Sequence, residues 1–288
     1  MRKNRDYKVG DLKKALPFLS LSLAGVSVFV IIPYIDVLRR SFTTITGKKF
    51  VGWGNYKVVI RNQAFRLAVF NNIRFIMICI PLLLLLSLLI AVFLYQESGM
   101  VTFIKGGLLL PMALPVASVV LFWQLSFHEN GFLNAFLAFF NLPTRDWMNS
   151  KYSFWILIFS YIWRNLGYQI ILWFAGLSMI SREIYEAAKV DGANRWQCFI
   201  KMTIPNLKFM ASTISILAVL NSFKVFREAY LVAGEYPHED MYLLQHLFNN
   251  WFRDLAIDKI AVASVLLSIT LFGFIFLFHK VWERNMAI

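Results

Sequence analysis

The sequence is short of the residues from which reactive sites are usually assembled. Two cysteines and four histidines are spread over 288 residues, so no disulfide framework or metal-ligand set at regular spacing emerges. Cys79 lies within an apolar run and reads as buried filler, while Cys198 falls in a hydrophilic insert. Acids are scarce, 16 against 29 lysines and arginines, for a net charge of +13. Those cations lie between apolar runs rather than along one face, which argues for anionic lipid headgroups and cytoplasmic partners and against nucleic acid. No Gly-x-x-x-x-Gly-Lys-Ser/Thr phosphate loop occurs, so the chain is expected neither to hydrolyse ATP nor to hold a cofactor itself. Low-complexity linkers, tandem repeats and a soluble second domain are also missing.

What is abundant is apolar surface. The chain is 59% hydrophobic with 28 phenylalanines and a mean hydropathy of +0.60, more than a water-soluble domain of this length normally carries. The expectation is an all-α integral membrane protein of one domain with six transmembrane helices. Residues 1–14, with Arg2, Lys3, Arg5, Lys8, Lys13 and Lys14, form a basic cytoplasmic segment. Residues 15–288 form the membrane domain, with spans over 15–35, 69–95, 106–127, 152–177, about 208–233 and 259–282. The first apolar run is too long for a cleavable signal peptide, and no small-residue cleavage site follows it. Pro81 predicts a kink in the second span, and Pro111 with Pro115 a bend in the third. Residues 128–151, containing GFLNAFLAFF, and 234–258 lie outside. Both termini then face the cytoplasm, although the balance of basic residues between inner and outer loops leans only slightly that way.

One hydrophilic stretch interrupts the fourth and fifth spans: SREIYEAAKVDGANRWQCFIKMTIP, residues 181–205. Ser181 can cap a short helix whose first turn carries Glu183. Gly192 after Asp191 permits the positive φ that ends it. Asn194 can start a second helix, with Trp196, Phe199 and Ile200 on one side, and Pro205 limits how far that helix runs unbroken.

This insert resembles the EAA loop of the inner-membrane subunits of binding-protein-dependent ABC importers, whose pattern is Glu-Ala-Ala, three residues, Gly, nine residues, Ile-x-Leu-Pro. Glu186-Ala187-Ala188, Gly192 and Pro205 fall in register, with Met202 and Ile204 replacing the usual Ile and Leu. Two further elements resemble the carbohydrate-uptake branch, the maltose and glycerol-phosphate type. The first is Ser41-Phe42, Val51-Gly52-x-x-Asn55-Tyr56 and Phe65; the second is Ser222-Phe223-x-x-Phe226. There the branch has a Gly-Gly-Pro turn where this chain reads Gly234-Glu235-Tyr236-Pro237.

The resemblance implies a type I ABC importer permease that moves a sugar or oligosaccharide, acidic and phosphorylated ones included, by alternating access across the cytoplasmic membrane. Its implied partners are a second homologous permease, a dimer of ATPase subunits that binds the ATP and Mg, and an extracytoplasmic solute-binding protein. The first helix of the insert would be the coupling helix, docked in a groove of the ATPase. Glu186 would make a charged contact there, Ala187 and Ala188 would permit close approach, and Gly192 would make the bend. Asp191 and Pro205 complete that coupling set.

Polar residues inside spans are costly and tend to face a cavity or another helix. They recur as Asn71 and Arg74 in the second span, Trp163, Arg164, Asn165 and Tyr168 in the fourth, and Asn221, Lys224, Arg227 and Glu228 in the fifth. Amides, cations and aromatic faces suit a hydroxylated solute, so these ten are the expected substrate pathway. A purely structural reading stands beside it. Lys224 and Glu228 can neutralise each other at i,i+4, Arg74 can snorkel to headgroups, and Arg164 can anchor a helix to backbone carbonyls or a partner subunit. Two other function classes compete. An ion-driven secondary transporter needs an ionisable relay, for which Glu228 is nearly the only acid in the spans. A polytopic membrane enzyme would have only His128-Glu129 and His238-Glu239-Asp240 to work with, both in outer loops.

Overall fold

The computed structural model describes residues 19–96, 101–233 and 237–284. The expectations for residues 1–14 and for the turn at 234–236 lie outside them. Among the described residues the secondary structure is helical, apart from one isolated bridge between Thr43 and Phe50. Four helices are long and apolar enough to cross a membrane: Leu19–Ser41 (α1), Gln63–Tyr95, Arg195–Val225 and Ile257–Leu277. A bent pair, Gly106–Ala113 with Val116–Phe139, makes a fifth candidate. The expected fourth span is Ser153–Ser178, 26 residues. It has the length to cross, but Arg164, Asn165, Tyr168 and Gln169 dilute its apolar character through the middle.

The chain divides into two compact units. The first comprises residues 1–62 with 251–272. Its helix α1 runs on to Ser41, past the expected end at 35, and Asp36 there pairs with Arg39 at 2.8 Å and Arg40 at 2.6 Å. Next comes a short helix, Gly54–Arg61 (α2). The loop between them is knitted by the residues singled out in sequence. Ser41 Oγ meets Tyr56 OH at 2.9 Å, and Asn55 Nδ2 donates to the carbonyls of Ser41 (3.2 Å) and Thr43 (2.7 Å). Phe42 packs against Trp53 and Tyr56 with ring centroids 5.4 and 5.2 Å apart.

The second unit comprises residues 63–250 with 273–288. Its helices are Gln63–Gln96 (α3), Val101–Ala113 (α4), Val116–Phe127 (α5), Phe132–Phe139 (α6) and Ser153–Ser178 (α7). They are followed by Arg182–Val190 (α8), the continuous helical path Arg195–Val225 (α9) and Phe226–Ala233 (α10). A 3₁₀ turn at Glu239–Met241 leads to Leu244–Arg253 (α11), whose last residues fall in the first unit, and Ile257–Arg284 (α12) has residues 257–272 in the first unit and the remainder in the second. Helix α7 is the hub, packing along α3 and also against α4 and α9. One cluster gathers Phe75, Cys79, Ile80 and Leu83 of α3 with Phe154, Leu157, Ile158 and Tyr161 of α7. A second gathers Ala91, Ile170, Trp173, Phe174 and Leu177 with Leu207 and Ile214. Between them Trp173 Nε1 donates to Ser87 Oγ at 3.0 Å, and Ser87 donates back to Leu83 O at 2.7 Å, which closes the polar account of a buried hydroxyl. Cys79 is fully buried and both cysteines are free.

The prolines act in different ways. Helix α3 runs through Pro81 as an unbroken helix. The third span is interrupted outright at Leu114-Pro115, and its two halves meet at 86°. Pro115 cannot supply a backbone N–H and biases Leu114 away from helix. Pro205 does not stop the second limb of the hydrophilic insert. The chain makes a π-helical segment, Phe199–Thr203, and continues straight into Ile204–Ser222. The fifth helix therefore starts at Arg195, not near 208, because the wider π turn accommodates the missing proline donor.

Two glycines of α7 are close-contact points. A Cβ at Gly167 would lie 1.7 Å from the carbonyl oxygen of Leu108 in α4, and one at Gly176 2.8 Å from Met210 Cγ in α9. The first neighbour is backbone and cannot step aside. Gly167→Ala is therefore expected to push α4 off α7 and lower the melting temperature in detergent, by the 1–3 kcal/mol or more typical of overpacking, roughly. Gly107→Ala, where nothing lies within 4 Å, should leave it unchanged; equal behaviour of the two variants would refute the crossing.

His246 of α11 is fully buried among Phe226, Tyr230 and Tyr242. Its Nδ1 accepts from Leu243 N–H at 3.1 Å, so the ring proton sits on Nε2. Burial pushes its pKa down from 6.5 to about 4, because the charged ring would lose its water. Between those values the unfolded chain binds a proton that the folded chain does not. The contribution is present above pH 6.5 and is lost as pH falls toward 4, by about 1.4 kcal/mol per unit. Melting temperature in detergent should drop across that window, and His246→Phe should flatten the drop; an unchanged slope would count against the buried neutral ring.

Candidate functional site

Two places in the second unit collect the polar residues expected from sequence. The first is a cavity of about 130 Å³ lined by Met112, Val116, Tyr161, Arg164, Asn165, Asn221, Lys224 and Arg227. It opens where the Leu114-Pro115 interruption parts α4 from α5 and exposes backbone. Arg164, near the middle of α7, donates through Nη2 to Leu114 O at 3.3 Å. The guanidinium thus caps a carbonyl left outside the helix ladder, and an anchoring role for Arg164 holds alongside its place in the cavity wall. A cation at the centre of a membrane helix costs about 2.5–3.5 kcal/mol on insertion scales, so such a partner matters. Asn165 Nδ2 donates to Tyr161 O at 2.8 Å, one turn back along α7. Across the cavity, Lys224 Nζ donates to Asn221 Oδ1 at 2.7 Å rather than standing alone. The 3₁₀ turn Phe223–Val225 lies between Asn221 and Arg227, and a three-residue turn brings residues three apart onto one line.

Five of the ten expected pathway residues therefore meet: Arg164, Asn165, Asn221, Lys224 and Arg227. Trp163 instead packs edge-on against Trp123, centroids 5.5 Å apart, and is not in the lining. Tyr168 is half-buried and also outside it. The side chain of Glu228 lies outside the described residues, and with it the expected Lys224–Glu228 pair. Tyr161, Met112 and Val116 were missed. Tyr161 had a readable signal, since it precedes Arg164 and Asn165 by three and four positions and shares their face of α7.

Asn71 and Arg74 are not brought to the cavity. Asn71 is 2% exposed, and its amide donates to the carbonyls of Glu239 (2.6 Å) and Tyr242 (3.0 Å). Arg74 does not snorkel: it pairs with Asp240 at 2.9 Å and lies 4.0 Å over the Phe154 ring. His238 Nδ1 stands 3.4 Å from the same Asp240 carboxylate. These two α3 residues clamp the Glu239–Met241 turn, and that contact is between residues more than 160 positions apart, beyond the reach of any spacing rule.

The second place is the hairpin of α8 and the start of α9. Ser181 Oγ caps α8 by accepting from Glu183 N–H at 3.3 Å. At the far end, Gly192 has φ +78. Its N–H donates to Lys189 O at 3.0 Å, and Ala193 N–H donates to Ala188 O at 2.9 Å. That pair of bonds is a Schellman closure. Asn194 and Gln197 then form a reciprocal capping box, with bonds of 2.9 and 2.8 Å. Tyr185 OH meets Thr203 Oγ1 at 2.9 Å and ties the two limbs together. Glu186, Ala187, Asp191 and Pro205 are exposed. Ala188 is not: it is 4% exposed. Exposed apolar side chains stand beside the bend instead, notably Val190 at 87% and Trp196 at 66%.

Comparison with known proteins adds relatives to this geometry. Residues 61–287 match the family described as "Binding-protein-dependent transport system inner membrane component". The arabinooligosaccharides transport system permease protein AraP of Bacillus subtilis (strain 168) is 30% identical over 230 residues, 76% of this chain and 72% of its own. The trehalose/maltose transport system permease protein MalF of Thermococcus litoralis is 29% identical over 241 residues, 82% and 80%. The sulfoquinovosyl glycerol transport system permease protein SmoG of Agrobacterium fabrum is 26% identical over 243 residues, 82% and 79%. Among solved structures, a chain of a bacterial ABC transporter for import of the acidic polysaccharide alginate has the same fold. Its TM-score is 0.83 at 18% identity, covering 96% of this chain and 98% of that one.

The clamp can be separated from the cavity by experiment. Asn71→Ala leaves the buried Tyr242 carbonyl without its amide donor and removes one of two donors from the Glu239 carbonyl, so stability should fall by about 1–3 kcal/mol. Uptake per folded molecule should stay unchanged; a selective loss of uptake at full stability would return Asn71 to the pathway.

Proposed function

The chain belongs to the family of binding-protein-dependent transport system inner membrane components, and from that membership we propose that it is the permease subunit of an ATP-driven saccharide importer. The observation that carries the proposal is the family match over 61–287 in a chain with several apolar membrane-length helices. The printed substrates of its relatives, arabinooligosaccharides, trehalose/maltose and sulfoquinovosyl glycerol, support a saccharide as cargo. In this reading α1, α3, the bent α4–α5 pair, α7, α9 and α12 make six spans, with both termini and the 181–205 hairpin on the cytoplasmic side. The chain catalyses no reaction of its own.

A second permease, an ATPase dimer that binds ATP and Mg, and an extracytoplasmic binding protein complete the importer. ATP-driven closure of the ATPase moves α8, and the bundle exchanges inward- and outward-facing states around the polar cavity. Such coupling requires the ATPase contact to differ between the two states. Glu186, Ala187 and the exposed Val190 form the docked face, Gly192 and Asp191 the bend, and Pro205 with the π segment the exit. Isolating the chain from detergent and identifying its companions tests the assembly. Solute accumulation by the chain alone, driven by an ion gradient without nucleotide, would replace the proposal with a secondary transporter.

The hairpin generates a sharper expectation. A Cβ at Gly192 meets nothing within 4 Å, so only backbone conformation penalises substitution there, by about 1–2 kcal/mol for a non-glycine residue. Gly192→Asn should keep ATPase association and uptake, because Asn tolerates positive φ, whereas Gly192→Val and Glu186→Ala should weaken both while the protein remains inserted. Co-purification and vesicle uptake read the outcome, and normal uptake by both damaging variants would remove the hairpin from the coupling path.

A further inference from the structure

We infer that the cavity of α4, α5, α7, the end of α9 and the start of α10 takes an anionic saccharide, one bearing a carboxylate, sulfonate or phosphate; this rests on the saccharide-import reading above and narrows it. Of the eight lining residues, three are full cations, Arg164, Lys224 and Arg227, and only Met112 and Val116 are apolar. No carboxylate appears in the described lining. Among the described residues no ion pair joins Lys224 or Arg227 to an acid.

The donor and acceptor inventory points the same way. Guanidinium and ammonium groups donate hydrogen bonds and accept none. The lining acceptors are few, and they are partly used: Asn221 Oδ1 already receives Lys224 at 2.7 Å. A neutral sugar presents hydroxyls that need acceptors as well as donors, and this wall matches only half of that need. An anionic oxygen cluster needs donors alone, and charge-assisted bonds to it are the stronger kind.

Placement adds to composition. The 3₁₀ turn at Phe223–Val225 lies between Asn221 and Arg227, and Asn221, Lys224 and Arg227 all line the cavity. Arg164 faces them from α7, its orientation held by Leu114 O. Like charges gathered at one wall repel, and an entering anion relieves that repulsion. The volume, about 130 Å³, exceeds by roughly tenfold what a single water requires, so the charged end of a sugar has room.

The test uses the whole importer: this chain with its second permease, ATPase and binding protein, reconstituted in vesicles and energised with ATP. The probe is a mixed library of neutral, uronate, sulfonated and phosphorylated oligosaccharides, and imported species are read by mass spectrometry. The wild type is expected to import species carrying at least one negative charge, and the spectrum names which group. Lys224→Gln with Arg227→Gln should cut that import about tenfold or more. Arg227→Lys, which keeps the charge, should retain most of it. Complex assembly and melting temperature of each variant guard against a folding defect. Import of neutral saccharides only, or equal import of anionic species by the charge-neutral double variant, overturns the inference and leaves saccharide import standing. Import of nothing from the library would sink the saccharide reading beneath it.

Discussion

The crossing of α4 over α7 at Gly167 is closer than any side chain permits, and the rest of the polar site follows from it. Gly167 lies three residues beyond Arg164, on the same face of α7. With the α4 backbone pressed onto that face at Leu108, the helix interruption at Leu114-Pro115 falls beside Arg164. Its orphan carbonyl then receives the guanidinium. A costly charge in the middle of a helix and an unsatisfied backbone group in a proline break are each unfavourable alone. Placed together, they satisfy one another and prop open a wall into which Lys224 and Arg227 project from the other side.

The hairpin of α8 is built on a different principle, closure through its own short-range bonds. The Ser181 cap, the Schellman bonds around Gly192 and the Asn194–Gln197 box are all local, and only Tyr185–Thr203 reaches across. A unit so closed can transmit a push as a rigid body, because little of its shape depends on what it touches. Ala188 is buried, which leaves Glu186, Ala187 and Val190 as the face presented outward.

What was legible in the sequence divides along the same line. Local chemistry was readable: the Ser181 cap, the positive φ at Gly192, the Asn194 start and the bend at Pro115 all rest on neighbours within a few residues. The polar stripes of α7 and of the end of α9 with the start of α10 were readable as faces, and five of their members do converge. Long-range partnering was not. Arg74 and Asn71 look like any membrane polar residue until the Glu239–Met241 turn arrives to claim them. Pro205 looked like a stop because a proline's missing donor is visible in sequence, whereas the π turn that absorbs it is not. The count of spans blurs where polar residues lower the hydropathy of α7, which is also where the cavity lies.

The widened turn at Phe199–Thr203 has a consequence for how this region can change over generations. A π turn holds one residue more than the α geometry needs, so it behaves as a stored insertion. Deleting that residue would restore regular pitch, yet would swing everything upstream by about 100° relative to the downstream helix. The bend at Gly192 and its outward face would then aim at the wrong quarter of the surface. Here chain length itself is locked to direction.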